Sequence, residues 1–122
     1  MVAELASIDQ LLFEFAGPRM SVPVKVGVPA DRPAEFLRVE RLGGGPDNRA
    51  LDKPLVMGQG WAQSRARAED IAAEFRDLLM NRYGEAHLIR GVLDVNGPYF
   101  DPDPDSYTPR FTVTATLSVR AR

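Results

Sequence analysis

Residues 110–120 read RFTVTATLSVR and form the most regularly patterned segment of the chain. Apolar and polar side chains alternate along it without a break: the apolar set is Phe111, Val113, Ala115, Leu117 and Val119, and the polar set is Thr112, Thr114, Thr116, Ser118 and Arg120. A period of two is that of a β-strand with one buried face and one polar face. The segment therefore predicts a strand that packs against a core on one side only.

The clearest helix precedes this strand, in residues 64–84, SRARAEDIAAEFRDLLMNRYG. Ser64 is a suitable N-cap, and Gly84 is expected to end the helix in the left-handed conformation. One apolar stripe runs along the helix and comprises Ala68, Ile71, Ala72, Phe75, Leu78 and Leu79. A shorter amphipathic helix is predicted near the start of the chain, where Leu5, Ile8, Leu11, Leu12 and Phe15 recur at spacings of three and four before Gly17-Pro18.

Four further segments complete the predicted pattern. SVPVKVGVP (21–29) alternates, with Val22, Val24, Val26 and Val28 on one face, and its proline favours a sheet edge. AEFLRVERL (34–42), LVMGQGWAQ (55–63) and HLIRGVLDV (87–95) are also predicted strands. In the second of these three, Gly58 and Gly60 indicate a bend or the close approach of another backbone, and Trp61 is expected in the core. Residues 43–54 and 97–109, rich in glycine, proline and aspartate, are predicted loops.

The order of elements is helix, three strands, long helix, two strands. This order predicts an α+β fold, with a mostly antiparallel sheet of about five strands packed against the long helix plus the N-terminal helix. A length of 122 residues suits a single domain over residues 1–122.

Composition narrows the range of functions. Fifteen Lys and Arg against seventeen Asp and Glu give a net charge of -2, which argues against a domain that grips nucleic acid. The absence of cysteine excludes disulfides and thiolate sites. Glu4, Asp9 and Glu14 interrupt the apolar start of the chain, so neither a signal peptide nor a membrane span is expected there.

A run of acidic residues, Asp101, Asp103 and Asp105, has the spacing that opens a calcium loop. Counted from Asp101, the sixth and twelfth positions hold Ser106 and Thr112, where an EF-hand loop needs glycine and glutamate. The intervening prolines favour an extended path on which the carboxylates diverge. We therefore expect a stiff acidic loop and no metal site.

The single histidine, His87, lies at a strand entrance, and no nucleophile motif accompanies it in the sequence. The triple glycine at 43–45 lacks the Lys-Ser/Thr pair of a phosphate-binding loop. The sequence thus predicts no catalytic residue and no cofactor, and favours a structural or interaction protein.

Three segments together resemble the tail terminator proteins of siphophages, particularly those that infect actinobacteria: RPAEFLRVERLGG (32–44), WAQSRARAEDIAAEFRDLL (61–79) and GVLDVNGPYFDPDPDSYTPRFTVTATLSVR (91–120). The resemblance implies a subunit of a homo-oligomer, a hexameric ring, at the head-proximal end of the tail. Such a ring stops polymerisation of the major tail tube protein and presents a surface to the head-tail connector or stopper protein. The resemblance further implies that genomic DNA passes through the lumen without specific binding, and that the protein is found in the virion after assembly in the host cytoplasm.

Under this resemblance, the mixed-charge second strand, the two loops and the start of the last strand supply the candidate interface residues. These are Arg38, Glu40, Arg41, Asp47, Arg49, Asp52, Tyr99, Phe100, Asp101, Asp103, Asp105 and Arg110. An ordinary solvated strand face explains the charges at 38–41 equally well, so that choice stays open. Two other functions also stay open: a head-completion or stopper protein of the neck, and a small enzyme or ligand-binding domain built on the three loop aspartates and His87.

Overall fold

The computed structural model describes residues 7–48 and 50–121. Within this range the chain forms helix α1 (Ile8–Ala16), strands β1 (Val24–Lys25), β2 (Phe36–Pro46) and β3 (Leu51–Trp61), helix α2 (Arg65–Arg82) with a 3-10 turn at Tyr83–Glu85, and strands β4 (Ile89–Phe100) and β5 (Arg110–Arg120). The predicted α+β class and the predicted order of elements are both confirmed. Leu5 of the predicted N-terminal helix lies outside the described residues.

The five strands form one sheet in the order β1-β2-β3-β5-β4. β1 runs parallel to β2, and the three remaining pairs are antiparallel. β5, the strand with the strict alternation, lies between β3 and β4, so both of its edges are hydrogen-bonded. Its five apolar side chains are buried in the core on one face of the sheet, as the pattern predicts.

Helix α2 covers that face of the sheet. The Ser64 side chain accepts a hydrogen bond from the Arg67 amide and caps the helix, as predicted. The six residues of the predicted apolar stripe are all buried. Gly58 and Gly60 permit the close packing of α2 on β3, because a Cβ on Gly60 would lie 2.5 Å from the Ala68 carbonyl oxygen. The expected close approach of another backbone is therefore confirmed, and that backbone belongs to α2.

Helix α1 packs against β1 and β2 and shares the core with α2. Ser7 caps it by accepting a hydrogen bond from the Gln10 amide. Asp9 accepts a hydrogen bond of 2.8 Å from the Arg41 amide of β2, which satisfies an N–H at the part of β2 that extends beyond the short β1. Both helices thus lie on one side, and the sheet is a two-layer structure with its opposite face left to loops and solvent.

Four details differ from the sequence predictions. β1 is only two residues long, and Val26 and Val28 are exposed. Residues 43–54 are largely a hairpin rather than a loop, because β2 continues to Pro46 and β3 begins at Leu51. β4 continues through Gly97 and Pro98 into the second predicted loop. Finally, Gly84 has no left-handed backbone, and the end of α2 continues into the 3-10 turn.

Candidate interaction surface

The sheet face opposite the helices is the main surface feature of the subunit. Because Gly58 and Gly60 face α2, the alternating positions of β3, including Met57, Gln59 and Trp61, face the other way. Paired residues on neighbouring strands share a face, so the register defines the rest of this surface. We call it the open face; its four rows are Phe36–Trp61–Arg110, Arg38–Gln59–Thr112–Tyr99, Glu40–Met57–Thr114–Asn96 and Gly43–Leu55–Thr116–Leu93.

One end of the open face is closed by a stack around Trp61. The Trp61 ring lies 5.2 Å from the Phe36 ring, at an interplanar angle of 18°. The guanidinium carbons of Arg32 and Arg110 each lie 5.1 Å from the Trp61 ring centroid. Trp61 is buried, as predicted, but on the face opposite the helices rather than in the helix-sheet core. It therefore anchors the chain segments that supply the two arginines.

Arg110 also organises the acidic loop. Its Nε donates a hydrogen bond of 2.7 Å to the Asp101 carbonyl oxygen, and its guanidinium lies 3.4 Å from the Asp101 carboxylate and 3.8 Å from that of Asp103. Asp103 also accepts hydrogen bonds from the hydroxyl and amide of Ser106. The Ser106 hydroxyl is the main reason why the pKa of Asp103 is lowered, and Arg110 and Arg32 contribute further. The carboxylates of Asp101 and Asp103 thus stabilise the loop through contacts within it, while Asp105 is exposed.

A buried polar network follows in the second row of the open face. The Thr112 hydroxyl donates to Asp101 at 3.0 Å and accepts from the Gln59 amide nitrogen at 3.3 Å. The Gln59 oxygen in turn accepts from Arg38 at 3.1 Å, and Arg38 is ion-paired with Glu40. These candidate residues are therefore already engaged within the subunit, which reduces the net charge that the open face presents.

The last row of the open face, Gly43–Leu55–Thr116–Leu93, is uncharged and uncovered. Leu55 of β3 is 38% exposed and Leu93 of β4 is 49% exposed, and both pair with Thr116 of β5. β5 carries no charged side chain between Arg110 and Arg120. In this row Thr116 lies between two exposed leucines, so another protein can cover it with little loss of solvation.

The candidates of the first predicted loop lie in or near the β2–β3 hairpin. Arg41 binds Asp52 through two hydrogen bonds of 2.7 and 2.9 Å, and the Asp52 side chain is buried on the helix face. Asp52 therefore acts inside the subunit and offers no surface to a neighbour. Asp47 lies 3.8 Å from Lys53 at the hairpin end. Arg49 lies outside the described residues.

The aromatic candidates lie at the other end of the sheet. Tyr99 is exposed in the second row of the open face, and Phe100 packs against Phe111 with ring centroids 5.3 Å apart. Arg65, at the start of α2, lies 3.9 Å from the Phe100 ring centroid. Sequence reasoning missed Leu55 and Leu93, because their exposure depends on which strands flank β5 and the chain order does not specify this.

No protein-family model matches the chain, and no curated protein matches it with significant similarity. In the part of the chain that the structure describes, no helix is long and apolar enough to cross a bilayer. Across residues 7–48 and 50–121, no group of three histidine, aspartate or glutamate side chains is placed to hold a metal ion.

Proposed function

We propose that this protein is a structural subunit of a phage tail, a tail terminator that assembles from copies of itself into a ring. The ring occupies the head-proximal end of the tail tube, ends polymerisation of the major tail tube protein and joins the tail to the head-tail connector. The observation that carries the proposal is the open face: a sheet with helices on one side and a neutral, partly apolar surface on the other. The resemblance of the three sequence segments to tail terminator proteins is the basis for proposing this particular assembly, a ring at the end of the tail tube.

A closed ring needs two different complementary surfaces on each subunit. The two faces of this subunit differ in character, and of the two only the open face offers an uncharged surface to a second copy. The outer side of α2 is charged, and its exposed residues include Arg65, Glu69, Asp70, Asp77 and Arg82. The Leu55–Thr116–Leu93 row of the open face is uncharged, and Lys53 and Arg120 lie beyond it on the same face. Contact between this row and a second copy would bury Leu55 and Leu93 without burying a charged side chain of the row.

The size of the open face also fits a partial interface. Four strands spaced about 4.8 Å apart, over roughly six residues each, cover about 400 Å² in the plane of the sheet, and about half of this is buried under the subunit's own side chains and loops around Trp61 and Gln59. A standard interface buries about 800 Å² of each partner, so the uncovered part of the open face supplies about a quarter of one contact and leaves room for a second. The net charge of -2 is compatible with DNA passing through a lumen, because the subunit has no excess of basic groups to hold phosphates.

The ring is tested by measuring the mass of the purified protein by light scattering and native mass spectrometry. We expect a species near six times the 13.5 kDa subunit mass. In Leu93→Asp we expect the concentration for half-dissociation to rise at least tenfold, because the carboxylate would be buried without a partner. The fold should survive, since Leu93 is half exposed in the subunit.

Met80→Asp is the matched control. Met80 is 44% exposed on α2, on the opposite side of the molecule from the open face. This variant should keep the wild-type mass at the same protein concentration. Equal dissociation of the two variants, or a hexamer that persists in Leu93→Asp, would contradict the assignment of the subunit contact to the open face.

A further inference from the structure

Tyr107 projects from the loop between β4 and β5 and is the most exposed large apolar side chain in the described part of the chain, at 79%. Its φ of 58° lies in the left-handed region, which tyrosine adopts at a cost of about 1 kcal/mol. An exposed aromatic residue with a strained backbone indicates a functional role more strongly than a relaxed one, because the surrounding structure must hold it in place.

The loop that holds Tyr107 is internally hydrogen-bonded. The Tyr107 amide donates to the Asp103 carbonyl at 2.8 Å, and the Asp103 amide donates to the Thr108 carbonyl at 3.1 Å. The hydroxyls of Ser106 and Thr108 lie 2.7 Å apart, and Arg110 fixes the base of the loop. The backbone at Tyr107 is therefore pre-positioned, and little backbone conformational entropy would be lost if its ring were buried by a partner.

The opposite end of the subunit carries a surface pocket of about 280 Å³. The buried part of its lining is apolar and includes Phe15 and Leu88, with Leu11 half-buried beside them. The exposed part is polar and includes Glu85 and His87. The volume of about 280 Å³ lies at the lower end of the range of small-molecule sites, about 300 to 1,000 Å³, and is large enough for one aromatic side chain. An apolar interior with a polar rim suits tyrosine, which has an apolar ring and a polar hydroxyl.

Tyr107 and the pocket of the same subunit cannot meet. Leu88 directly precedes β4 and Tyr107 follows it; β4 spans the length of its β5 partners Phe111–Val119, which separates Leu88 and Tyr107 by roughly 26 Å. A projection at one end and a complementary pocket at the other define a head-to-tail contact between copies. We infer that the Tyr107 ring of one copy binds in the pocket lined by Leu11, Phe15 and Leu88 of a second copy.

This inference rests on the proposed ring and names a second contact within it. The first variant is Tyr107→Asn, because asparagine tolerates the left-handed backbone and so removes the ring without disturbing the loop. We expect its half-dissociation concentration to rise at least tenfold over that of the wild-type hexamer. The control Glu69→Gln changes an exposed side chain on the outer side of α2 and should leave the mass unchanged.

The second variant blocks the pocket with Leu11→Trp; if thermal unfolding shows that this variant is destabilised, Glu14→Trp, in the exposed part of the same lining, replaces it. Each blocked or truncated variant alone should lose the hexamer. A mixture of the Tyr107→Asn and blocked variants should form a 1:1 heterodimer and nothing larger, because it contains one intact projection and one intact pocket. In this heterodimer the copy with the intact pocket lacks Tyr107, and the copy with Tyr107 has a blocked pocket. No third copy can therefore bind through this contact.

The outcomes separate this inference from the proposed function. A wild-type protein that stays monomeric at all concentrations overturns both. A hexamer that persists in Tyr107→Asn leaves the ring intact, overturns the inference and assigns the pocket to some other molecule. Loss of the hexamer in both variants without a heterodimer in the mixture also overturns it, since a head-to-tail contact must complement.

Discussion

At the scale of single residues, Gly60 determines how closely α2 approaches the sheet. A Cβ at this position would lie 2.5 Å from the Ala68 carbonyl oxygen and 2.7 Å from the Ala72 amide nitrogen. Both atoms belong to helix backbone, which cannot move away as a flexible side chain could. The glycine is thus required by space rather than by backbone angles, and its neighbour Gly58 plays the same role against the Phe75 ring.

We expect Gly60→Ala to lower the free energy of unfolding by about 1 to 3 kcal/mol, the usual cost of forcing an extra group into a packed core. Urea unfolding followed by circular dichroism measures the change. Gly91→Ala is the control, because its nearest neighbour, the Ser118 Cβ, would lie at an ordinary 3.9 Å. That change should be neutral or slightly stabilising, since alanine restricts the unfolded chain. A Gly60→Ala protein as stable as Gly91→Ala would contradict the packing account.

At the scale of elements, the strand that is paired on both edges was predicted best from the sequence. β5 has the bounds that its alternation predicts, because it is paired on both edges and its two faces have different environments. The segment around Val24 alternates equally well but pairs with β2 at only two positions, so most of it is not a strand. Period alone indicates which residues can share a face, whereas tertiary pairing decides whether a strand forms.

The loop predicted between β2 and β3 was wrong, because the prediction relied on the glycine and proline content of residues 43–54. Gly44 has a φ of 77°, and a Cβ there would clash with the Lys53 carbonyl. The glycines that indicate a loop in the sequence therefore also let β2 and β3 pair closely past a bulge between Arg41 and Gly43. The same ambiguity applies to β4, which crosses Gly97 and Pro98 while keeping its pairing with β5 at Tyr99.

The ends of the two helices are joined by a charge cluster that gives a pH prediction. Hydrogen bonds from Arg82 and then from Arg19 lower the pKa of Glu85 to about 2. Because the folded pKa lies below the unfolded value of about 4.3, the cluster stabilises the fold above that pH and loses its effect as pH falls towards 2. Glu85 is exposed, so the contribution is screened by solvent and by salt.

We therefore expect Glu85→Gln to be less stable than wild type at pH 6, and the difference should shrink steadily between pH 5 and pH 2. Urea unfolding at several pH values measures it, and added salt should reduce the difference at pH 6. Glu69→Gln is the control, since Glu69 is exposed on α2 and has no ion pair within 4.0 Å in the described residues. A Glu85→Gln deficit that is constant with pH would exclude the ionic explanation.

At the scale of the whole molecule, the candidate surface depends on strand order. The sequence predicted the polar face of β5 through Thr112, Thr114 and Thr116. It could not predict that β3 and β4 flank this face and add Leu55 and Leu93, because β3 and β5 are separated by α2 and β4 in the chain. Nor could it predict that Arg110 binds its own loop. Most of the charged residues chosen as interface candidates proved to be paired within the subunit, whereas Asp105 and Tyr99 are exposed.

The proposed terminator differs from the open alternative, a neck stopper, in what its loss does to the particle. In a phage that encodes this chain, a stop codon early in the gene should give tails of uncontrolled length, because the ring that ends tube polymerisation is missing. Loss of a stopper should instead leave free tails of normal length beside heads that leak DNA. Electron microscopy of mutant lysates, with tail lengths measured, distinguishes the two.

Complementation connects this experiment to the open face. The wild-type gene and Met80→Asp, supplied in trans, should both restore uniform tail length, whereas Leu93→Asp should restore it poorly because fewer rings form at the same expression level. Equal expression of the three proteins is checked by immunoblot. If Leu93→Asp restores uniform tails as well as Met80→Asp, the exposed leucine on β4 does not act in assembly, because a ring that depends on a neutral sheet contact cannot tolerate a buried carboxylate there.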